Sequence, residues 1–119
     1  DSERYCDEMY WRESRPELVM GPGSWGWVER AYASARLLAR PGLLEAVRTP
    51  AFIVGPTADA LVSFATIAKD ARRLPRGELL ALGTEARHEV LREVDVVRDR
   101  CLHAIDGFLE RVTPEPRKA

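Results

Sequence analysis

No stretch of this chain comes near the roughly twenty consecutive apolar residues that a membrane-crossing helix needs, and no signal peptide opens it. No charge of one sign dominates: 18 Lys and Arg stand against 19 Asp and Glu, a formal net charge of −1. That balance leaves no electrostatic footprint for nucleic acid. Cysteine is scarce, with only Cys6 and Cys101, and neither belongs to a metal-ligand spacing. Two isolated cysteines read as free thiols of a reducing compartment, which points to the cytoplasm. What is present is ordinary for a globular protein: 119 residues, 45% hydrophobic and 31% charged. This suffices for one modest domain with a core and argues against disorder.

Strands are scarce too. Only residues 51–54 and 78–82 read as buried strands, each a short apolar run. Parallel strands normally belong to sheets of several strands covered by helices on both faces. The chain also opens at Asp1 without an initiator Met, directly in a helix-like pattern. The expectation is that residues upstream of Asp1 complete the sheet, and that this portion alone is poorly stable.

Around the strands the pattern is helical. Residues 2–13 place Tyr5, Cys6, Met9 and Tyr10 near one face, and Arg15-Pro16 ends that segment because the residue before a proline avoids the helical region. After the Gly21-Pro22-Gly23 turn, Ser24 can cap a helix to about Arg40, with Trp25, Val28, Tyr32, Ala35 and Ala39 at helical spacing. Pro41-Gly42 stops it, and 43–47 allow one more turn. Ser63 can cap a helix with Phe64, Ile67, Ala68, Ala71 and Leu74 on one face. Asp95 can cap the last helix, whose stripe is Val97, Cys101, Ile105, Phe108 and Val112. From residue 50 the order is strand, loop, helix, strand, loop, helix, a βαβα layout that is right-handed by default.

In the loop after each strand one titratable side chain stands out, Asp59 after the first and His88 after the second, 29 positions apart. Functional groups of open parallel sheets gather at that edge. An acid followed by a histidine is the back half of a Ser…Asp…His hydrolase triad, in which the acid fixes the imidazole tautomer. The plainer reading makes Asp59 a turn cap and His88 an ordinary loop residue, since such loops attract polar side chains.

The segments Pro50-Ala51-Phe52-Ile53-Val54, Ala58-Asp59-Ala60-Leu61-Val62-Ser63 and Ala86-Arg87-His88-Glu89-Val90-Leu91 bring a family into view. From about residue 16 to 110 the chain resembles the carboxyl-terminal half of an α/β-hydrolase, closest to the lysophospholipase and monoacylglycerol lipase-like branch. Gly23-Ser24-Trp25-Gly26-Trp27 resembles the end of that branch's cap. The resemblance implies an α/β fold in which 1–46 end the helical cap region and supply a return helix. Residues 47–112 then form the carboxyl-terminal βαβα part of the core, and 113–119 a frayed polar tail. It implies Asp59 and His88 as the second and third triad members. Where the family often has a basic residue after the acid, this chain has Ala60.

The family's nucleophile sits in a G-x-S-x-G elbow, and none here fits. Pro22-Gly23-Ser24-Trp25-Gly26 comes nearest, but Pro22 replaces the glycine that lets the elbow turn, and no sheet strand fits between Ser24 and the one at Ala51. Ser24 is therefore a weak nucleophile candidate and a better N-cap. The serine and the oxyanion-hole loop are expected upstream of Asp1, so this portion alone is expected to be inactive.

Trp25 and Trp27 are candidate substrate-lining residues, although packing of a helix start explains them more simply. His103 reads as a surface residue. Glu85, Glu89 and Glu93 read as loop and helix-start charges, with no metal site among them. The implied function is a serine hydrolase cleaving carboxylic esters of lipid-like or small acyl substrates. It needs no dissociable cofactor and no transmembrane segment, and is cytoplasmic or peripheral at a membrane. The competing class is a non-catalytic α/β-hydrolase-like interaction module or a degenerate remnant.

Overall fold

A computed structural model describes residues 2–113, with side chains from residue 6 onward. The expected tail therefore lies, apart from Thr113, outside the described residues, as does the side chain of Tyr5. The described residues form a mixed α/β arrangement of four helices and a two-stranded parallel sheet. In order these are α1 (Ser2–Ser14), α2 (Trp25–Leu38), β1 (Ala51–Pro56), α3 (Phe64–Ala71), β2 (Gly77–Leu82) and α4 (Asp95–Val112). Among the described residues there are also three 3-10 turns, Pro16–Leu18, Leu44–Ala46 and Val90–Arg92.

Strand alternation explains why both strands look apolar throughout. The register pairs Ala51 with Gly77 and runs to Pro56 with Leu82. Successive side chains point to opposite faces, so Phe52 and Val54 share one face with Leu80 and Leu82. That face receives α4: the Phe52 and Phe108 rings stack at 5.3 Å, and Val54 and Leu80 pack against Leu82, Ala86, Val97 and Cys101. The opposite face, with Ile53, Gly55, Leu79 and Ala81, receives α3. Gly55 lets that helix approach closely, because a Cβ there would already touch Phe64 and Ile67 at 3.4 Å. Helices on both faces leave no strand position free to be polar, except Glu78, whose carboxylate reaches Arg111 of α4 at 2.6 Å.

Helix starts and stops follow local chemistry. The Ser63 hydroxyl accepts the Thr66 N–H at 3.4 Å and the Ser24 hydroxyl accepts the Trp27 N–H at 3.2 Å, each satisfying one orphan donor of a first turn. Past α2 the chain turns through Gly42 at φ +86°, a conformation glycine adopts without steric cost. The last helix departs from expectation. Val94 holds the capping position and makes no side-chain cap, while Asp95 is the first helical residue. There its charge still favours the positive helix start and pairs with Arg98 at 3.2 Å.

The buried core is small: Leu44, Ala71, Leu82, Ala86, Val97, Cys101 and Phe108. The radius of gyration is 17.5 Å, against about 13.5 Å for a compact domain of this length. No residue of α2 is buried, and its apolar stripe faces outward. The expected packing of the tryptophans at its start is not found: Trp25 is 88% and Trp27 67% exposed. Tryptophans are mostly buried anchors, but no neighbouring element covers these two. One tie holds the end of α2. The Arg73 guanidinium donates to the carbonyls of Leu38 and Arg40 at 2.7 and 2.6 Å and pairs with Glu45 at 2.9 Å. Among the described residues no helix is long and apolar enough to cross a membrane.

Candidate active site

Beyond Pro56 the first strand has one more sheet bond, from the Thr57 N–H to the Leu82 carbonyl at 2.8 Å. The chain then turns, and Asp59 is fixed by its own loop. Its Oδ1 accepts the N–H groups of Leu61 at 2.8 Å and Val62 at 3.2 Å. With Oδ1 engaged, Oδ2 faces the other loop, where His88 Nδ1 lies 2.8 Å away. The two loops open at the same carboxyl edge because the strands are parallel neighbours. The sequence-nominated acid and histidine therefore meet.

Their environments differ. The Asp59 side chain keeps 1% of its surface, whereas His88 keeps 47%. The His88 hydrogen bond holds the Asp59 carboxyl below its ordinary value, and the Leu61 and Val62 N–H groups push the same way against the opposing effect of burial. An ionised carboxylate has no proton to give, so Nδ1 must be the donor. In the neutral ring Nε2 then keeps its lone pair, on a half-exposed edge where it can accept a proton.

The surrounding charges are paired. Glu85 meets Arg100 at 3.3 Å, and Glu89 meets Arg92 at 2.9 Å. Arg92 also reaches back to Glu8 of α1 at 3.2 Å. Glu93 Oε1 accepts the Arg87 N–H at 2.7 Å. Among the described residues no group of three or more His, Cys, Asp or Glu side chains is placed to hold a metal ion. His103 is exposed on α4. Cys6 is exposed, and Cys101 is buried beneath the histidine loop, where desolvation pushes its thiol up.

The remaining candidates lie elsewhere. Ser24 is bonded to the Trp27 N–H of its own helix and not to His88. Trp25 and Trp27 project from α2. A cleft of about 320 Å³ lies between α1 and the following turn, lined mainly by Trp11, Leu18, Val19 and Met20, with neither Asp59 nor His88 in its wall. Two residues that periodicity does not nominate, Arg87 and Glu93, hold the histidine loop. The only sequence signal for Arg87 is that it adjoins His88. Comparison with family models, with curated proteins and with solved structures gives no match.

Proposed function

We propose that this chain carries the acid and the base of a serine hydrolase that cleaves carboxylic esters of lipid-like or small acyl substrates, of the lysophospholipase and monoacylglycerol lipase kind. The observation that supports this reading is the 2.8 Å hydrogen bond between His88 Nδ1 and the shielded Asp59 carboxylate at the carboxyl edge of two parallel strands. In this reading Nε2 takes the proton of a serine hydroxyl as that oxygen attacks the ester carbonyl. It then delivers the proton to the departing alcohol, while Asp59 stabilises the transient imidazolium. The same ring repeats the transfer with water to release the acid.

The nucleophile and the oxyanion donors belong, on this reading, to residues upstream of Asp1, and Ser24 serves as a helix cap. The reading is tested by initial rates of the full-length protein on a short-chain aryl ester, with thermal melts in parallel. His88→Ala should abolish turnover and leave the melt nearly unchanged, because a half-exposed loop side chain contributes little packing. Near-normal rates in His88→Ala would remove the general-base assignment. An inert wild type would favour a non-catalytic module.

A further inference from the structure

A ring that is 47% exposed is not held by packing. Apart from the bond to Asp59, its place depends on where the backbone delivers it. The register pairs residues 26 apart, as in Ala51 with Gly77, whereas Asp59 and His88 are 29 apart. The second loop therefore carries three more residues than the first before the pair closes, beyond the reach of the sheet ladder. Something else must hold them.

Three ties occupy that position. Ala86, fully buried against Leu82, Val97 and Cys101, anchors the loop in the core. The next N–H, that of Arg87, is taken by Glu93 Oε1 at 2.7 Å. The Glu93 backbone turns back onto the Val90 carbonyl at 3.4 Å, so the carboxylate closes 87–93 into a loop that contains His88. The Arg87 guanidinium then donates to the carbonyl of Ala58 at 3.2 Å. Ala58 precedes Asp59 as Arg87 precedes His88. The two cross-loop bonds run side by side, each spanning 29 residues.

We propose that Glu93 and Arg87 are positioning residues for the Asp59–His88 pair, Glu93 by holding the Arg87 amide and Arg87 by tying the two loops together. The carboxylate–amide bond is charge-assisted, the stronger class of hydrogen bond. Glutamine at 93 offers the same carbonyl acceptor, and alanine offers none. The effect on turnover rests on the hydrolase reading, but the effect on the pair does not.

The test uses the full chain with Glu93→Gln, Glu93→Ala and Arg87→Met. Three readouts are taken: the low-field Nδ1–H proton of His88 by NMR, the Asp59 carboxyl titration by carbon-13 shifts, and the thermal melt. Glu93→Gln should keep the proton signal and the depressed Asp59 titration. Glu93→Ala should lose the signal and move the Asp59 midpoint up, with the melt retained. Arg87→Met should broaden the signal. Persistence of signal and titration in Glu93→Ala overturns the proposal for Glu93, and persistence of a sharp signal in Arg87→Met overturns it for Arg87. Loss of the fold in Glu93→Ala also overturns it, because the carboxylate would then serve the core. If Glu93→Ala releases the imidazole in a protein whose wild type cleaves no ester, the positioning role stands and the hydrolase reading falls. Where esters are cleaved, Glu93→Ala should lower kcat about a hundredfold at nearly constant KM.

Discussion

Asp59→Asn should reverse the tautomer of His88, and the structure dictates why. The Leu61 and Val62 N–H groups both point at the Oδ1 position, at 2.8 and 3.2 Å. An amide placed there must turn its oxygen toward those two donors, because its NH₂ would face them donor to donor. The NH₂ then occupies the Oδ2 position, 2.8 Å from Nδ1. Nδ1 becomes the acceptor and the ring proton moves to Nε2, the nitrogen that acts as base in the proposed hydrolase. All three hydrogen bonds survive, so the melt should stay close to wild type. Turnover should fall by about four orders of magnitude, the size of effect seen when a triad acid becomes an amide. Nitrogen-15 shifts of His88 at neutral pH report the tautomer directly, and initial rates on an aryl ester report the chemistry. If the Asn variant kept the proton on Nδ1, the argument from the backbone donors would be wrong. A large loss of stability would also refute it, because no bond should be lost.

Other outcomes follow from the same geometry. Leu82 is 1% exposed at the centre of the core. Leu82→Ala should cost about 2–5 kcal/mol in urea unfolding, and a loss under about 1 kcal/mol would mean the site collapses without strain. Glu45 is held at about 2 by Arg73, against an ordinary value of 4.5. A depressed carboxyl stabilises the fold above its unfolded value, so this contribution should be complete above pH 4.5 and fade as pH falls toward 2. Glu45→Gln should remove that part of the acid sensitivity in a pH series of melts, and an unchanged profile would dismiss the pair as an acid-sensitive contact. Ser24→Ala should lower helix stability by about 1 kcal/mol through the lost cap and leave ester turnover intact. Abolished turnover with a normal melt would promote Ser24 to nucleophile.

How much of this is readable in the chain depends on the range of the physics involved. Prolines and glycines punctuate locally, so Thr49-Pro50 and Pro75-Arg76-Gly77 bracket β1 and β2 without reference to anything distant. That Asp59 and His88 share one edge follows from order alone, because two parallel neighbours open their loops there, but order does not bring the two side chains into contact. Periodicity, in contrast, says which face of a helix is apolar and nothing about what covers it. Trp25 is the instance: it stands at helical spacing with Val28 and Tyr32, yet it is 88% exposed. Asp95 shows the limit of capping rules, since a one-residue shift turns an expected cap into the first helical residue. The ties made by Arg73 to Leu38 and Arg40, and by Glu93 to the Arg87 amide, depend on where long side chains fold back. No local pattern encodes that.

The most direct test of the central claim is labelling of the full-length protein with a fluorophosphonate, which captures only a serine activated by a working base. Peptide mapping by mass spectrometry would then locate the adduct. The account predicts one labelled serine upstream of Asp1, none at Ser24, and loss of the label in His88→Ala with the melt preserved. A wild type that takes no label, or a His88→Ala variant that labels as fast as wild type, would contradict it.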